Sequence, residues 1–91
     1  MSRRILAVDD SPSMRMLLKA SLTAQGFTVC SAEDGEQGLA AARSDPPDLI
    51  ITDINMPVMD GFQLIEAARA DAALRTLPIL VLSTEFSDDK K

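Results

Sequence analysis

The chain has 91 residues, of which 46% are hydrophobic, and its formal net charge at pH 7 is −5. This length and hydrophobic content predict one folded domain and exclude a disordered chain. The acidic balance argues against nucleic acid or an anionic membrane surface as a direct partner. No apolar run reaches transmembrane length or forms a signal peptide, and the single Cys30 excludes an internal disulfide, so we expect a cytoplasmic protein.

The first predicted elements are a strand, a helix and a second strand. The apolar run over about 4–8 predicts the first strand, which two carboxylates follow. Ser11 is a good N-cap and Pro12 suits the first helical position, so we expect a helix that stops at Gly26. The second strand is predicted over about 27–31, and its cysteine is interpreted as a small buried side chain.

The remaining elements continue the same alternation. Asp34 caps a second helix through about residue 42, a third strand covers about 49–52, and Asp60 caps a third helix. A fourth strand is predicted over about 79–82, and Ser87 would cap a fourth helix. Strands that alternate with helices imply parallel βαβ units with right-handed crossovers.

Apolar spacing predicts which helix faces are buried. In the first helix the stripe that we expect to pack inward consists of Met14, Leu17, Leu18, Ser21 and Leu22. In the third helix it consists of Phe62, Ile65 and Ala68. Each stripe would cover one face of the sheet.

Carboxylates stand at the ends of two predicted strands. Asp9 and Asp10 follow the first strand, and Asp53 ends the apolar run of the third. Ligands of open α/β sheets bind beyond the carboxyl ends of the strands, so neighbouring strands would place these side chains in one pocket. Like charges this close repel one another, and a bound cation would offset the repulsion. Oxygen ligands suit Mg2+, for which Mn2+ could substitute.

Three motifs carry a resemblance to a known family. They are Asp9-Asp10 after the first strand, residues 53–61 (DINMPVMDG), and residues 82–85 (LSTE) after the fourth. Their order and spacing resemble the receiver domain of two-component response regulators, and most closely its single-domain, CheY-like chemotaxis type. The resemblance implies a flavodoxin-like (CheY-like) doubly wound parallel sheet of strand order 2-1-3-4.

The resemblance also implies a role for each site residue. Asp53 would be the phosphoacceptor, and Asp10 would bind Mg2+ directly, with Asp9 bound through water. Asn55 would ligate the metal through its backbone carbonyl, and Ser83 would donate a hydrogen bond to the phosphoryl group. The phosphodonor would be a histidine kinase or a small acyl phosphate, and the signal would pass to an output protein that the sequence does not name.

The departure from the family pattern is at the end of the sequence. The family's fifth strand, which ends in a lysine, and its fifth helix have no counterpart before Lys91. Lys90 and Lys91 fall in the predicted fourth helix and are not that strand-end lysine. With the fifth βα unit missing, we expect an open sheet edge and an uncovered part of the first helix, and therefore a homodimer or completion by another chain.

Other functions are weighed against the receiver. A fragment that serves assembly rather than signalling is one alternative. A haloacid-dehalogenase-like phosphotransferase is another alternative. That class requires a second Asp two residues after the nucleophile, and this chain has Asn55 at that position. We expect a signalling module and not an enzyme, because its only catalysis would be on its own phosphoryl group.

Overall fold

The computed structural model describes residues 3–54, 56 and 58–82. Its elements follow one another as β1 (Arg4–Val8), α1 (Pro12–Ala24), β2 (Thr28–Ala32), α2 (Gly35–Ser44), β3 (Leu49–Asp53), α3 (Gly61–Ala70) and β4 (Ile79–Leu82). The four strands form one parallel sheet of order β2-β1-β3-β4. The predicted fold is confirmed.

The strand register brings the strand ends together at one edge of the sheet. Val8 of β1 lies beside Thr52 of β3, and Asp53 lies beside Leu82 of β4. The short apolar strands β1 and β3 are buried from end to end except at their first residues, as parallel strands covered on both faces are. Residues that follow these two strands therefore emerge next to each other.

The helices divide between the two faces of the sheet. Right-handed crossovers place α1 on one face and α2 and α3 on the other. The main core lies under α2 and α3, and it is built from alternate residues of the strands, from these helices and from the turn after α3. The fully buried large side chains of this core are Leu6, Val8, Ile50, Leu64 and Leu74.

Each described helix begins at the N-cap that the sequence predicts. The Ser11 hydroxyl accepts a hydrogen bond from the amide of Met14 at 3.3 Å, and the Asp34 carboxylate accepts one from the amide of Gln37 at 2.8 Å. Asp60 and Gln63 form a reciprocal capping box. These caps fix where each helix begins after the chain leaves the carboxyl end of a strand.

The predictions that Cys30 and Phe62 are buried are wrong. Cys30 is exposed rather than buried, because β2 is an edge strand and only its end at Ala32 is buried. Phe62 is 61% exposed, whereas the large buried side chain of α3 is Leu64. The buried face of α3 consists of Gly61, Leu64 and Ala68, and Phe62 lies outside that face.

The outer side of α1 is also exposed. Met16 is 72% exposed and Leu17 is 61% exposed, and none of the residues of α1 is fully buried. Leu17 and Ser21 are exposed and thus do not pack inward as predicted, whereas Met14, Leu18 and Leu22 of the same stripe are half-buried. The expected uncovered part of the first helix is present.

No helix in the described part of the chain combines the length and the apolarity that a membrane span requires.

Candidate functional site

Three carboxylates meet at the edge of the sheet where β1 and β3 end. Ligand oxygens of Asp9, Asp10 and Asp53 all lie within 4.8 Å of one another. Asp9 is 3% exposed and Asp53 is 6% exposed, whereas Asp10 is open to solvent. The structure therefore brings together the three acidic residues that the strand ends predicted.

Hydrogen bonds hold the buried Asp9 at both its main chain and its side chain. Its amide donates to the carbonyl of Ala32 at 3.1 Å, and its Oδ1 accepts the amide of Ser11 at 2.9 Å. Its own carbonyl accepts Nη1 of Arg15 at 2.7 Å. The sequence interpretation missed Arg15, although a basic residue in the first turns of the helix after paired carboxylates is a signal that could have found it.

The environment of Asp9 disfavours its charged form. Burial raises the pKa of its carboxyl above the ordinary value, and the neighbouring charges of Asp53 and Asp10 raise it further. The Ser11 amide and the Arg15 guanidinium act in the opposite direction on this pKa, but they do not cancel the rise. A cation placed among the three carboxylates would favour the charged form.

Asp53 is oriented by the residues on either side of it. Its Oδ1 accepts the amide of Ile54 at 2.8 Å, and its carbonyl accepts the buried hydroxyl of Thr52 at 2.9 Å. Among the described residues, Oδ2 of Asp53 has no hydrogen bond. One carboxylate oxygen is thus fixed by the main chain, and the other is left for a ligand.

Gly61 closes the connection between β3 and α3 against the main chain of Asp53. Its amide donates to the carbonyl of Ile54 at 2.9 Å. A Cβ at position 61 would collide with the carbonyl oxygen of Asp53 and would lie 2.9 Å from Cα of Ile54. A side chain at this position would displace the residue that carries the acceptor oxygen, so the close approach requires glycine.

The three carboxylates fit a hard divalent cation. Oxygens bound to an octahedral Mg2+ at about 2.1 Å lie about 3.0 Å apart when adjacent and about 4.2 Å apart when opposite. The ligand oxygens of Asp9, Asp10 and Asp53 lie within 4.8 Å of one another, a limit near the larger of these separations, and a bound cation would neutralise their charge. Asp10 and Asp53 would hold the ion, with Asp9 at its side.

Two predicted site residues lie outside the described part of the chain. They are Asn55, predicted to ligate the metal through its carbonyl, and Ser83, predicted to contact the phosphoryl group. The predicted fourth helix, beginning near Ser87, also lies outside it. Their roles stay predictions.

The geometry agrees with the comparison to known protein families. The sequence model of one family, the response regulator receiver domain, matches residues 5–91 of this chain. The chain belongs to the response regulator receiver family. Its acidic cluster lies at the strand ends of the matched region.

Individual relatives support the same conclusion. The protein PilH of Pseudomonas aeruginosa is 39% identical to this receiver over 88 residues, which are 97% of this chain and 73% of PilH. The chemotaxis protein CheY of the same organism is 41% identical over 88 residues, 96% of this chain and 71% of that protein. The response regulator PleD of Caulobacter vibrioides is 42% identical over 83 residues, and this receiver spans 18% of its length.

A solved structure shows the same architecture. The chemotaxis response regulator CheY4 of Vibrio cholerae superposes with a TM-score of 0.90 at 43% sequence identity. The match covers 100% of this receiver and 76% of the CheY4 chain. Family membership gives the chain a phosphoacceptor role in two-component signalling, and the CheY-like fold is confirmed.

Proposed function

We propose that this receiver accepts a phosphoryl group on Asp53 from a histidine kinase, with Mg2+ held by Asp9, Asp10, Asp53 and the carbonyl of Asn55. The observation that carries the proposal is the cluster of Asp9, Asp10 and Asp53, with ligand oxygens within 4.8 Å, in a chain of the receiver family. A small acyl phosphate would serve as an alternative donor.

The transfer is a displacement at phosphorus. Oδ2 of Asp53 attacks the phosphorus of a phosphohistidine, so a P–O bond forms while the P–N bond breaks. The leaving imidazole takes a proton from solvent, and Asp53 becomes an acyl phosphate. A carboxylate needs no base for this attack because it is already ionised near neutral pH. The Ile54 amide holds Oδ1 at 2.8 Å, which keeps the plane of the attacking carboxylate in place.

The rest of the cluster prepares the site for an anion. Mg2+ supplies charge neutralisation between the carboxylates and the incoming phosphoryl oxygens. Asp10 would offer the ion an exposed carboxylate, and Asp9 would offer a buried one. The new phosphoryl group adds about −1.5 to −2 charge and three acceptor oxygens. The Ser83 hydroxyl would donate a hydrogen bond to it. The resulting motion would signal to an output partner.

The biological setting is part of the proposal. We place the receiver in the cytoplasm, where a kinase would supply the phosphoryl group, and we infer a role in chemotaxis-type signalling from its likeness to CheY. The chain would turn over no external substrate other than its phosphodonor, so it is a signalling module and not an enzyme.

Phosphorylation is tested with acetyl phosphate and Mg2+. Mass spectrometry of the parent chain should show the gain of one phosphoryl group that hydroxylamine removes, and Asp53→Asn should abolish the gain. Asp45→Asn is the control, because it removes the same charge from a surface ion pair with Arg4. Modification that persists in Asp53→Asn would place the nucleophile elsewhere. A folded, Mg2+-binding chain that is never modified would favour the alternative of an assembly module.

We further propose that the chain associates with a second copy or with another chain. Met16, Leu17 and Leu80 leave 72%, 61% and 50% of their surface exposed, and β4 is an edge strand among the strands that the structure describes. Exposed apolar side chains and open strand edges favour association. Light scattering across a dilution series should show a dimer that Leu17→Asp or Leu80→Lys weakens. A monomer at every concentration would refute association with a second copy.

A further inference from the structure

The connection between β3 and α3 is fastened to a helix that contributes no residue to the acidic cluster. The amide of Gly35, the first residue of α2, donates a hydrogen bond of 2.9 Å to the carbonyl of Met59. Met59 stands two residues before Gly61, at the far end of the connection that starts after Asp53. We infer that Gly35 is a positioning residue for Asp53, an inference that rests on the proposed phosphoacceptor function.

Three hydrogen bonds link Gly35 to the acceptor side chain. Met59 accepts from Gly35 at 2.9 Å, Gly61 donates to the carbonyl of Ile54 at 2.9 Å, and Ile54 donates to Oδ1 of Asp53 at 2.8 Å. Only a short stretch of main chain separates each bond from the next. A shift of Met59 is therefore passed through Gly61 and Ile54 to the carboxylate.

The contact at Gly35 leaves no room for a side chain. A Cβ at this position would lie 2.5 Å from the carbonyl oxygen of Met59, 2.7 Å from its Cγ and 2.9 Å from its Cβ. The Met59 side chain could rotate away, but its carbonyl oxygen belongs to the main chain, so the connection itself would have to move. The φ angle of Gly35 is not positive. Glycine is therefore required here because two backbones approach closely, and not because of an unusual φ.

The connection would not keep its conformation without such contacts. Val58 has a φ of 69°, in the left-handed region that a β-branched residue adopts only at a cost. Its side chain is 73% exposed, so packing of that side chain is not what maintains the conformation. Strained residues persist where the surrounding structure determines them, and here the bonds at Met59 and Gly61 do so.

The position of Asp53 matters because a metal site tolerates little displacement. Groups that orient metal ligands without touching the metal change affinity when they are altered, by about 10- to 100-fold in known metal sites. Gly35 would likewise orient Asp53 without touching the metal. A methyl group at position 35 would push Met59, disturb the hold on Asp53 and so weaken the binding of Mg2+ and slow the phosphoryl transfer.

Gly35→Ala is the direct test, because alanine favours the helical conformation of α2 and adds only the Cβ. Calorimetric titration with MgCl2 should give a Kd about tenfold higher than that of the parent. The rate of modification by acetyl phosphate at saturating Mg2+ should fall as well. Ile79→Val is the control, since Ile79 packs against the core from β4; its Mg2+ Kd should stay at the parental value even where its melting temperature falls.

A second measurement needs no substitution and covers the case in which Gly35→Ala does not fold. Binding is reciprocal, so Mg2+ should stabilise the bond between Gly35 and Met59 if that bond favours the metal-competent site. Hydrogen exchange of the Gly35 amide, followed by NMR in the parent chain, should slow when MgCl2 is added. The exposed amide of Ala73, which is hydrogen-bonded to Asp71 after α3, serves as the internal reference and should slow less than that of Gly35.

The outcomes separate the inference from the proposed function. If the parent binds Mg2+ and is phosphorylated, but Gly35→Ala equals it in Kd and rate, the positioning role is overturned and the function stands. The role is also overturned if the parent binds Mg2+ and the hydrogen-exchange rate of the Gly35 amide does not change. If the parent binds Mg2+ but takes no phosphoryl group, the function fails, and the effect of Gly35→Ala on Kd still decides the positioning of the site.

Discussion

Arg15 Nη1 donates a hydrogen bond of 2.7 Å to the main-chain carbonyl of Asp9. The bond joins α1 to the end of β1, at the point where the chain enters the acidic cluster. It also places a positive charge near the buried Asp9 carboxylate, where it opposes the rise in its pKa. The loop between β1 and α1 is therefore held both by the N-cap at Ser11 and by a side chain from the next turn.

Arg15→Met should lower the free energy of unfolding by about 1.5 kcal/mol, because a partly buried hydrogen bond from a charged group is lost. Urea denaturation measures the change. Lys19→Met is the matched control, since Lys19 is an exposed residue of the same helix and its loss should have little effect. Equal losses for the two variants would mean that the bond to Asp9 contributes nothing to stability.

Mg2+ should raise the melting temperature of the folded chain. At ten times Kd the stabilisation is about 1.4 kcal/mol by mass action, which for a chain of this size corresponds to about 6–11 °C. Asp10→Asn should remove most of this shift, because it deletes one of the three clustered carboxylates. Differential scanning fluorimetry over a MgCl2 series provides the measurement.

The control for that series is Asp45→Asn. Asp45 accepts Arg4 Nη1 at 2.7 Å, and its loss should lower the melting temperature slightly without changing the shift that Mg2+ produces. A Mg2+ shift that survives in Asp10→Asn would argue that the ion binds outside the cluster.

Asp71 should contribute stability that depends on pH. Its carboxylate accepts the amide of Ala73 at 2.9 Å and Nε of Arg43 at 2.8 Å, and both interactions lower its pKa below the ordinary 3.8. The folded state thus binds this proton less readily than the unfolded state. The stabilisation is fully present above the ordinary pKa and is lost as pH falls through the lower pKa of the folded state.

Asp71→Asn should therefore be less stable than the parent at pH 6, and the difference should shrink once the pH falls below 3.8. Unfolding by urea at several pH values measures it. Asp45→Asn is again the comparison, at the surface ion pair with Arg4. A difference between parent and Asp71→Asn that grows as the pH falls would contradict the assigned pKa direction.

Val58→Gly should stabilise the fold. Val58 has a φ of 69° and is 73% exposed, so glycine relieves the backbone conformation with little loss of packing. The relief of about 1–2 kcal/mol is partly offset by the greater freedom of glycine in the unfolded chain, about 0.4–1 kcal/mol. We expect a net gain of about 0.5–1 kcal/mol in the free energy of unfolding. Thermal and urea melts both report it.

The control is Val58→Ala, which removes the branched side chain but keeps the Cβ whose contact with the carbonyl makes the left-handed region costly. It should gain less than Val58→Gly. If both variants are as stable as the parent, the conformation at Val58 carries no strain.

Much of the fold and the chemical character of the site could be predicted from the sequence. The strand runs, the N-caps at Ser11, Asp34 and Asp60, and the parallel order follow from local periodicity and from crossover handedness. The meeting of Asp9 with Asp53 also follows, since the carboxyl ends of neighbouring parallel strands share one edge.

What the sequence could not determine depends on how elements pack across the molecule. It predicted that Cys30 and Phe62 are buried, but Cys30 lies on the edge strand β2 and Phe62 lies outside the buried face of α3, so both are exposed. Periodicity within one helix does not reveal which neighbour covers its face. Nothing local to Gly35 shows that its amide meets Met59, a contact between residues 24 positions apart. Only the tertiary structure joins these positions, because the packing of α2 beside α3 brings the two backbones into hydrogen-bond range.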